Sequence, residues 1–128
     1  MILGIGADVV EVARVARLLE RYGERFASRV LAPDEWEGYR ASADPPVFLA
    51  SRFAVKEAFG KAFGTGLRAP VLLTSIGVVH DALGRPSLSL ALELQALSEY
   101  RGVTSHHVTL THERSIACAV VILEARGP

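Results

Sequence analysis

The segment 47–63 constrains the fold more than any other part of this chain. At about 100° per residue, apolar side chains would cover nearly the whole circumference of a helix here. They are Phe48, Leu49, Ala50, Phe53, Ala54, Val55, Ala58, Phe59, Ala62 and Phe63. A helix that is apolar on every side is a buried one. Gly64 and Pro70 follow, as is typical beyond the end of a helix. We therefore expect a chain folded around one long central helix.

The remaining segments predict strands and shorter helices around that helix. Residues 1–7 are apolar and interrupted by glycines, which indicates a buried strand, and residues 9–28 show helical apolar spacing. The proline pair at 45–46 is expected to keep the preceding loop extended. Strands are predicted at 75–81, 87–92, 104–111 and 115–124, and further helices from 33 and at 91–101. This order favours an α+β fold, with a mainly antiparallel sheet wrapped around a long buried helix.

The overall composition excludes several classes of protein. The chain has 128 residues with 14 basic and 14 acidic side chains, and 50% of it is hydrophobic. This size predicts a single domain over residues 1–128. A general nucleic-acid binder would carry a positive excess, so no nucleic-acid partner is expected. No window approaches the ~20 apolar residues of a membrane span, and no basic signal region precedes the first strand, which predicts a cytoplasmic protein without a membrane partner.

The single cysteine, Cys118, lies within an apolar run near the end of the chain. A disulfide within one chain is excluded, and a paired-cysteine zinc site is excluded as well. Free cysteine is often buried, so we expect Cys118 to be a small core residue.

Four charged side chains interrupt the central helix: Arg52, Lys56, Glu57 and Lys61. On an exposed helix, Glu57 and Lys61 would be an ordinary ion pair one turn apart. Charged groups in apolar surroundings instead need a partner or a polar cavity. One carboxylate among several cations suits an anionic ligand that brings its own metal ion, and phosphate is the obvious candidate.

Asp8 allows two interpretations. It can cap a following helix, because Asp8 and Glu11 have the spacing of a capping box. It can also lie at the rim of a cavity and share a magnesium ion with Glu57, since magnesium takes one or two carboxylates together with phosphate oxygens and water. The sequence alone leaves both open.

Two further motifs are candidates for ligand contacts. Gly64 suits a helix cap, whereas Gly66, after Thr65, could let a ligand phosphate approach the backbone. In a regular strand His106 and His112 share one face and His107 lies on the other, so a three-histidine metal site is not expected.

Arg14, Arg17, Arg21 and Arg25 would lie within roughly 80° of arc on one continuous helix. The stripe is either a solvated face or a docking surface for an acidic helix of a partner protein, because arginine binds carboxylates bidentately.

Three stretches together resemble the holo-acyl-carrier-protein synthases, the short phosphopantetheinyl transferases of bacteria. They are the glycine-rich opening with Asp8 and Arg14, the segment 52–66, and the histidine-bracketed strand 107–112. Their order, their spacing and the total length agree from residue 1 to about 124.

The resemblance implies transfer of phosphopantetheine from coenzyme A to a serine of apo-acyl carrier protein, in support of fatty acid biosynthesis, on a phosphopantetheinyl transferase fold that assembles as a homotrimer. It implies that Asp8 and Glu57 hold Mg²⁺, and that Glu57 and Lys61 are catalytic. The implied coenzyme contacts are Arg52, Lys56, Gly64, Thr65, Gly66 and His107. The implied carrier contacts are Arg14, Arg21 and Arg25.

The general base stays open among Glu57, a water held by it, His112 and Glu113. Two other classes of function compete with the transferase. One is a nucleotide- or nucleic-acid-binding module that uses the arginine stripe. The other is a structural, partner-binding role through the first helix, which would leave the buried charges of the central helix unexplained.

Overall fold

Helix α4 (Pro45–Phe63) lies at the centre of the computed structural model, which describes residues 1–127. It contacts strands β1 (Ile2–Glu11), β4 (Ser105–Glu113) and β5 (Ile116–Glu124), and it also contacts helix α1 (Val12–Tyr22). Its alanine side chains are all buried, and so are Leu49, Val55, Phe59 and Phe63. Such burial is expected for a helix that is apolar on every side, and the predicted central helix is confirmed.

Two antiparallel sheets surround this helix. The larger has the strand order β1-β5-β4, and the smaller pairs β2 (Ile76–His80) with β3 (Pro86–Leu90). Within residues 1–127 there are four further helices and short 3₁₀ turns at Pro33–Glu35 and Leu73–Ser75. These helices are α1, α2 (Glu24–Val30), α3 (Trp36–Ala41) and α5 (Leu92–Tyr100). The α+β prediction, with a mainly antiparallel sheet against a buried helix, is confirmed.

The start of the chain differs from the prediction of one helix over 9–28. Strand β1 continues to Glu11, because Val9 and Val10 pair with Cys118 and Ala117 of β5. The helical part is then divided at Gly23. This glycine has a φ of 57° and a ψ of −137°, a backbone conformation that does not occur within an α-helix. The first helix therefore starts three residues later than predicted and ends before Gly23.

The expected extended conformation of the prolines was also wrong. Pro45 and Pro46 form the first turn of α4, where proline fits because the missing N–H would have no partner within the helix. Asp44 caps this turn by accepting a hydrogen bond from the Val47 N–H at 3.3 Å. The helix thus gains two residues at its start.

Two glycines let β1 lie directly against α4. A Cβ atom on Gly6 would be 2.0 Å from the Ala58 carbonyl oxygen, and one on Gly4 would be 1.8 Å from the Ala62 carbonyl oxygen. Any side chain at either position would push the strand off the helix. The glycines therefore set the short distance between the backbone of β1 and α4, and Asp8 follows directly on the same strand.

Strand β5 has one face against the helix and one face away from it. Ala117, Ala119 and Val121 face the core, whereas Cys118 alternates with them and is only half-buried. The expectation that Cys118 is a core residue was therefore wrong, because the strand period of two places it on the outer face. No helix within residues 1–127 is long and apolar enough to cross a bilayer.

Candidate active site

Asp8 lies inside β1 and pairs with Ala119, so it does not cap a helix. The residue before α1 is Glu11, which makes no side-chain capping bond. Instead, the Lys61 ammonium donates to Oδ1 of Asp8 and to the Ala7 carbonyl oxygen, each at 3.0 Å. The side chain of Asp8 is 17% exposed and that of Lys61 is 53% exposed. The strand thus presents a partly buried carboxylate beside a cation that keeps access to solvent.

Glu57 lies one turn before Lys61 and lines the same cavity of about 300 Å³ as Asp8. Burial raises the pKa of Glu57, the nearby charge of Asp8 raises it further, and Lys61 opposes both effects. A carboxylate whose proton affinity is raised by a second carboxylate marks a place where a cation is favoured. Of the two interpretations of Asp8, the structure therefore favours the cavity rim.

The donor set at this cavity fits a magnesium ion. Among the described residues, no group of three or more His, Cys, Asp or Glu side chains could hold a metal, and Asp8 and Glu57 both line this cavity. Magnesium is commonly bound by one or two carboxylates, with phosphate oxygens and water completing its octahedral shell. Asp8 and Glu57 are therefore the residues that would hold it.

The wall opposite these carboxylates comes from α1 and α2. Arg14 and Leu18 line the carboxylate cavity, together with Phe26. A second cavity of about 430 Å³ shares Leu18 and Phe26 with the first and extends to Arg25 and Arg29. A continuous groove therefore runs from the carboxylates to the arginines at the end of the helical pair.

The arginine stripe is only partly as predicted. Arg14, Arg17 and Arg21 lie on α1 and are exposed, whereas Arg25 lies on α2 beyond the break at Gly23. The predicted arc of four arginines requires one continuous helix. Because the helix is broken at Gly23, Arg25 does not share the arc of the other three arginines. The groove nevertheless places Arg25 on the same side of the molecule as the wall that carries Arg14.

Lys56 is fully buried, with no exposed surface. Its ammonium donates to the Val30 carbonyl oxygen and to Oε1 of Glu35. Burial lowers the pKa of Lys56, and the neighbouring charge of Glu35 opposes that effect. The family resemblance implied a coenzyme contact for Lys56, but the structure gives it a structural role, because its donors face protein acceptors.

Glu35 is a site residue that the sequence reasoning missed. It is 2% exposed, and its carboxylate accepts hydrogen bonds from the backbone N–H groups of Ala32 and Val78 as well as from Lys56. The available signal was Lys56 itself, since a buried lysine requires a buried anionic partner.

Arg52 lies one turn before Lys56 on the wall of a third cavity of about 520 Å³. Its guanidinium stacks 3.9 Å from the centre of the Phe48 ring, and its Nε lies 4.0 Å from Oε2 of Glu35. The Nε atom is buried and has no hydrogen-bond partner within residues 1–127. His80, His112 and Asp44 line the same cavity.

The loop after α4 folds back onto the helix. Gly64 ends α4 with a φ of 88°, and the N–H of Gly66 donates to the Gly60 carbonyl oxygen at 3.0 Å. A Cβ atom on Gly60 would lie 3.2 Å from Cα of Gly66, so a glycine there allows the close return. Thr65 is exposed at the tip of this loop. The predicted cap at Gly64 is confirmed, and Gly60 is a contributor that the sequence reasoning missed.

His107 lies on the outer face of β4, as the strand alternation predicted. Its Nε2 is 3.0 Å from Oε1 of Glu124, and this hydrogen bond is the largest cause of the lowered pKa of Glu124. Within the chain, His107 lines a separate cavity of about 190 Å³. His112 also lies in β4, which continues to Glu113.

The carboxylate cavity, with Lys61 hydrogen-bonded to Asp8 and Arg14 in its lining, has the carboxylates and cations that a phosphorylated ligand and a divalent cation would need. The sequence matches the 4'-phosphopantetheinyl transferase superfamily over residues 4–121. The chain belongs to this family, and the predicted membership is confirmed.

Individual relatives agree with this result. A holo-(acyl-carrier-protein) synthase of Nitrosospira multiformis is 55% identical over 124 residues, which is 97% of this chain and 99% of that protein. The crystal structure of the synthase of Neisseria meningitidis is similar with a TM-score of 0.94 at 40% identity, covering 97% of this chain and 99% of that one. The Helicobacter pylori synthase in complex with coenzyme A is similar with a TM-score of 0.82 at 28% identity, covering 94% and 99%.

Proposed function

We propose that this protein transfers the phosphopantetheine group of coenzyme A to a serine hydroxyl of apo-acyl carrier protein, with Mg²⁺, and releases adenosine 3',5'-bisphosphate. The observation that carries the proposal is that Asp8 and Glu57 line one cavity while the Lys61 ammonium donates a hydrogen bond to Asp8. The relatives named as holo-(acyl-carrier-protein) synthases, one of them solved with coenzyme A, support it.

The chemistry is a displacement at phosphorus. The serine oxygen attacks the phosphorus that carries pantetheine, and the bond from that phosphorus to the bridging oxygen breaks. The bridging oxygen then leaves with the adenosine 3',5'-bisphosphate. Negative charge grows on the phosphate oxygens, and a fixed cation stabilises it. Lys61 supplies that charge from the edge of the cavity, where its half-exposed ammonium can also protonate the leaving phosphate.

Asp8 and Glu57 would hold the magnesium ion, which supplies Lewis-acid stabilisation of the phosphate charge when bound. We assign the serine proton to Glu57 or to a water held by it, because Glu57 lines the carboxylate cavity. His112 lines the separate Arg52 cavity, which disfavours it as the base.

The coenzyme contacts are proposed for Arg52, for Gly64, Thr65 and Gly66, and for His107. Arg52 offers a guanidinium with an unused buried donor. The loop follows Lys61 closely in the chain, and its Gly64 and Thr65 are exposed. His107 lies on the outer sheet face, so we assign its contact to the site of a neighbouring copy.

That outer face supports the proposal of a homotrimer. Ile5 and Val9 are 60% and 62% exposed, and the half-buried Cys118, Val120 and Ile122 lie on the same face. A contiguous apolar sheet face of this kind marks an interaction surface in a soluble protein. We assign it to contacts between three copies of this chain.

The carrier protein is proposed to dock on α1 and α2. Arg14, Arg21 and Arg25 are exposed there, and the apolar groove around Leu18 and Phe26 adjoins them. This arrangement suits an acidic helix that also inserts an apolar side chain. Such activation of carrier proteins in the cytoplasm would support fatty acid biosynthesis.

The test is incubation of the protein with coenzyme A, Mg²⁺ and an apo-acyl carrier protein, followed by intact mass of the carrier. We expect a gain of one phosphopantetheine group, its loss when EDTA is added, and its loss in the Asp8→Asn variant. A carrier of unchanged mass with the unmodified enzyme would overturn the proposal.

A further inference from the structure

Glu35 is a buried carboxylate that takes no direct part in the transfer chemistry. Its two oxygens take four partners: the N–H groups of Ala32 and Val78, the Lys56 ammonium, and the Arg52 side chain at 4.0 Å. These partners come from the 3₁₀ turn at Pro33–Glu35 and the residue before it, from β2, and from two successive turns of α4. The carboxylate therefore joins three elements at one buried point.

A single carboxylate here meets two cations with different surroundings. Lys56 is enclosed, and its charge is satisfied by Glu35 and the Val30 carbonyl oxygen. Arg52 is enclosed only on the side of its Nε, since its side chain remains 13% exposed and lies on a cavity wall. The Glu35–Lys56 pair is enclosed by protein, whereas the Glu35–Arg52 pair leaves part of the guanidinium available to a ligand.

The guanidinium of Arg52 is held from two directions. The Phe48 ring stacks on its plane at 3.9 Å, and the Glu35 carboxylate attracts its Nε edge. Burial lowers the pKa of Arg52, and the charge of Glu35 opposes this effect. A long side chain that is fixed in this way loses less conformational entropy when it binds an anion.

We propose that Glu35 is a positioning residue for coenzyme binding, which pairs with Lys56 through Oε1 and aims Arg52 into its cavity through the charge on Oε2. This inference rests on the proposed function, because the anionic group that Arg52 receives belongs to coenzyme A. It also gives Lys56 its purpose, which is to hold Glu35 rather than to contact the coenzyme.

The difficulty in testing Glu35 is that its removal strands a buried ammonium, which is strongly destabilising. The double variant Glu35→Gln/Lys56→Met removes both charges together and keeps an amide oxygen for a backbone N–H. We expect Glu35→Gln alone to lower Tm markedly and the double variant to recover most of that loss. Glu37→Gln, an exposed carboxylate two positions further, is the matched control and should change neither Tm nor kinetics.

The kinetic measurement separates positioning from structure. In the folded double variant we expect KM for coenzyme A to rise about 3- to 10-fold with kcat nearly unchanged, which corresponds to one weakened charged contact. In an Arg52→Gln background the same double change should have no further effect on KM, because Glu35 acts through Arg52.

An unchanged KM in the folded double variant would overturn the inference, and so would a full additional effect in the Arg52→Gln background. If the double variant does not fold, Glu35→Asp replaces it, since a shorter carboxylate withdraws from Arg52 while it retains the charge near Lys56. An unchanged KM in folded Glu35→Asp would equally contradict the inference. Failure of the unmodified enzyme to transfer phosphopantetheine would instead contradict the proposed function.

Discussion

The Lys61 ammonium lies 3.0 Å from Oδ1 of Asp8, although the two residues are 53 positions apart in the chain. Asp8 lies within β1, and Lys61 lies in the last turn of α4. The contact exists because Gly4 and Gly6 allow the strand to touch the helix backbone. The glycines of the first strand therefore belong to the chemistry of the site as well as to the packing.

Lys61 is predicted to act on the reaction and not on the fold. Its side chain is half-exposed, so its ion pair contributes only about 0–1 kcal/mol to stability. Loss of a charge aimed at the transition state typically lowers kcat by about 10²–10³-fold. We expect Lys61→Met to show that loss with Tm nearly unchanged, and Lys61→Arg to lose less. Transfer rates from intact mass and thermal unfolding check both; a wild-type kcat in Lys61→Met would remove Lys61 from the mechanism.

Gly6→Ala is predicted to separate the strand from the helix. The new Cβ would be 2.0 Å from the Ala58 carbonyl oxygen and 2.7 Å from the Ala62 nitrogen, both rigid backbone atoms. Such overpacking costs about 1–3 kcal/mol, or roughly 3–10 °C in Tm. Activity should fall as well, because Asp8 moves away from α4.

The matched control is Gly38→Ala on the short helix α3. Its Cβ would meet only Phe48 side-chain atoms at 3.4 Å, which is ordinary contact. Alanine is also the better helix former, so Tm should stay constant or rise slightly. Equal Tm values for the two alanine variants would contradict the packing argument.

The sequence predicted the elements that follow from local pattern. The central helix needs only its own side chains to be recognised, because apolar groups cover its circumference. The period of two in β4 likewise predicts His107 on the face opposite His106, and the strand has that alternation. Asp8 and Glu57 were proposed as partners from chemistry, and the structure brings them to one cavity.

Long-range pairing decided what the sequence could not show. The extension of β1 to Glu11 depends on hydrogen bonds to β5, at the other end of the chain. Glu35 has no local signal, since its partners Lys56 and Val78 belong to other elements. The outer position of Cys118 depends on which face of the sheet meets α4, and an apolar run alone does not encode that choice.

Glu57→Gln is predicted to stabilise the fold slightly while it removes metal binding. The pKa of Glu57 is raised above its ordinary value of 4.5, chiefly by burial. The folded protein therefore favours the protonated carboxyl of Glu57. The stability that the protonated carboxyl contributes is complete below about pH 4.5 and is lost as pH rises through the pKa of Glu57 in the folded protein. At pH 7 the uncharged amide should raise Tm in EDTA, and the gain should vanish near pH 4.

Addition of Mg²⁺ or Mn²⁺ then separates metal binding from this effect. We expect the divalent ion to raise Tm of the unmodified protein and not of Glu57→Gln. Glu93→Gln, an exposed glutamate on α5, is the control and should retain the metal response. A metal-dependent Tm increase in Glu57→Gln would exclude Glu57 as a ligand.

The arginines of α1 and α2 are predicted to affect the carrier protein alone. Arg21→Ala and Arg25→Ala each remove one exposed charge. We expect each to raise KM for an acidic carrier by about 2- to 5-fold. KM for coenzyme A should not change, and the effect should shrink at high salt. The control is Arg126→Ala, an exposed arginine near the chain end. If Arg126→Ala raises KM for the carrier by the same factor, the effect comes from net charge, and these helices carry no docking surface.

The outer sheet face is predicted to hold copies of the chain together. Val9 is 62% exposed on that face, so Val9→Asp would place a charge inside the proposed interface. We expect a shift from trimer to monomer in light scattering after size exclusion, together with a raised KM for coenzyme A, because His107 from a neighbour would be lost. Leu83→Asp is the matched control, since Leu83 is 96% exposed at the turn between β2 and β3 and lies off the sheet. It should leave both the oligomeric state and KM unchanged, and a trimeric Val9→Asp variant would assign this face to another partner.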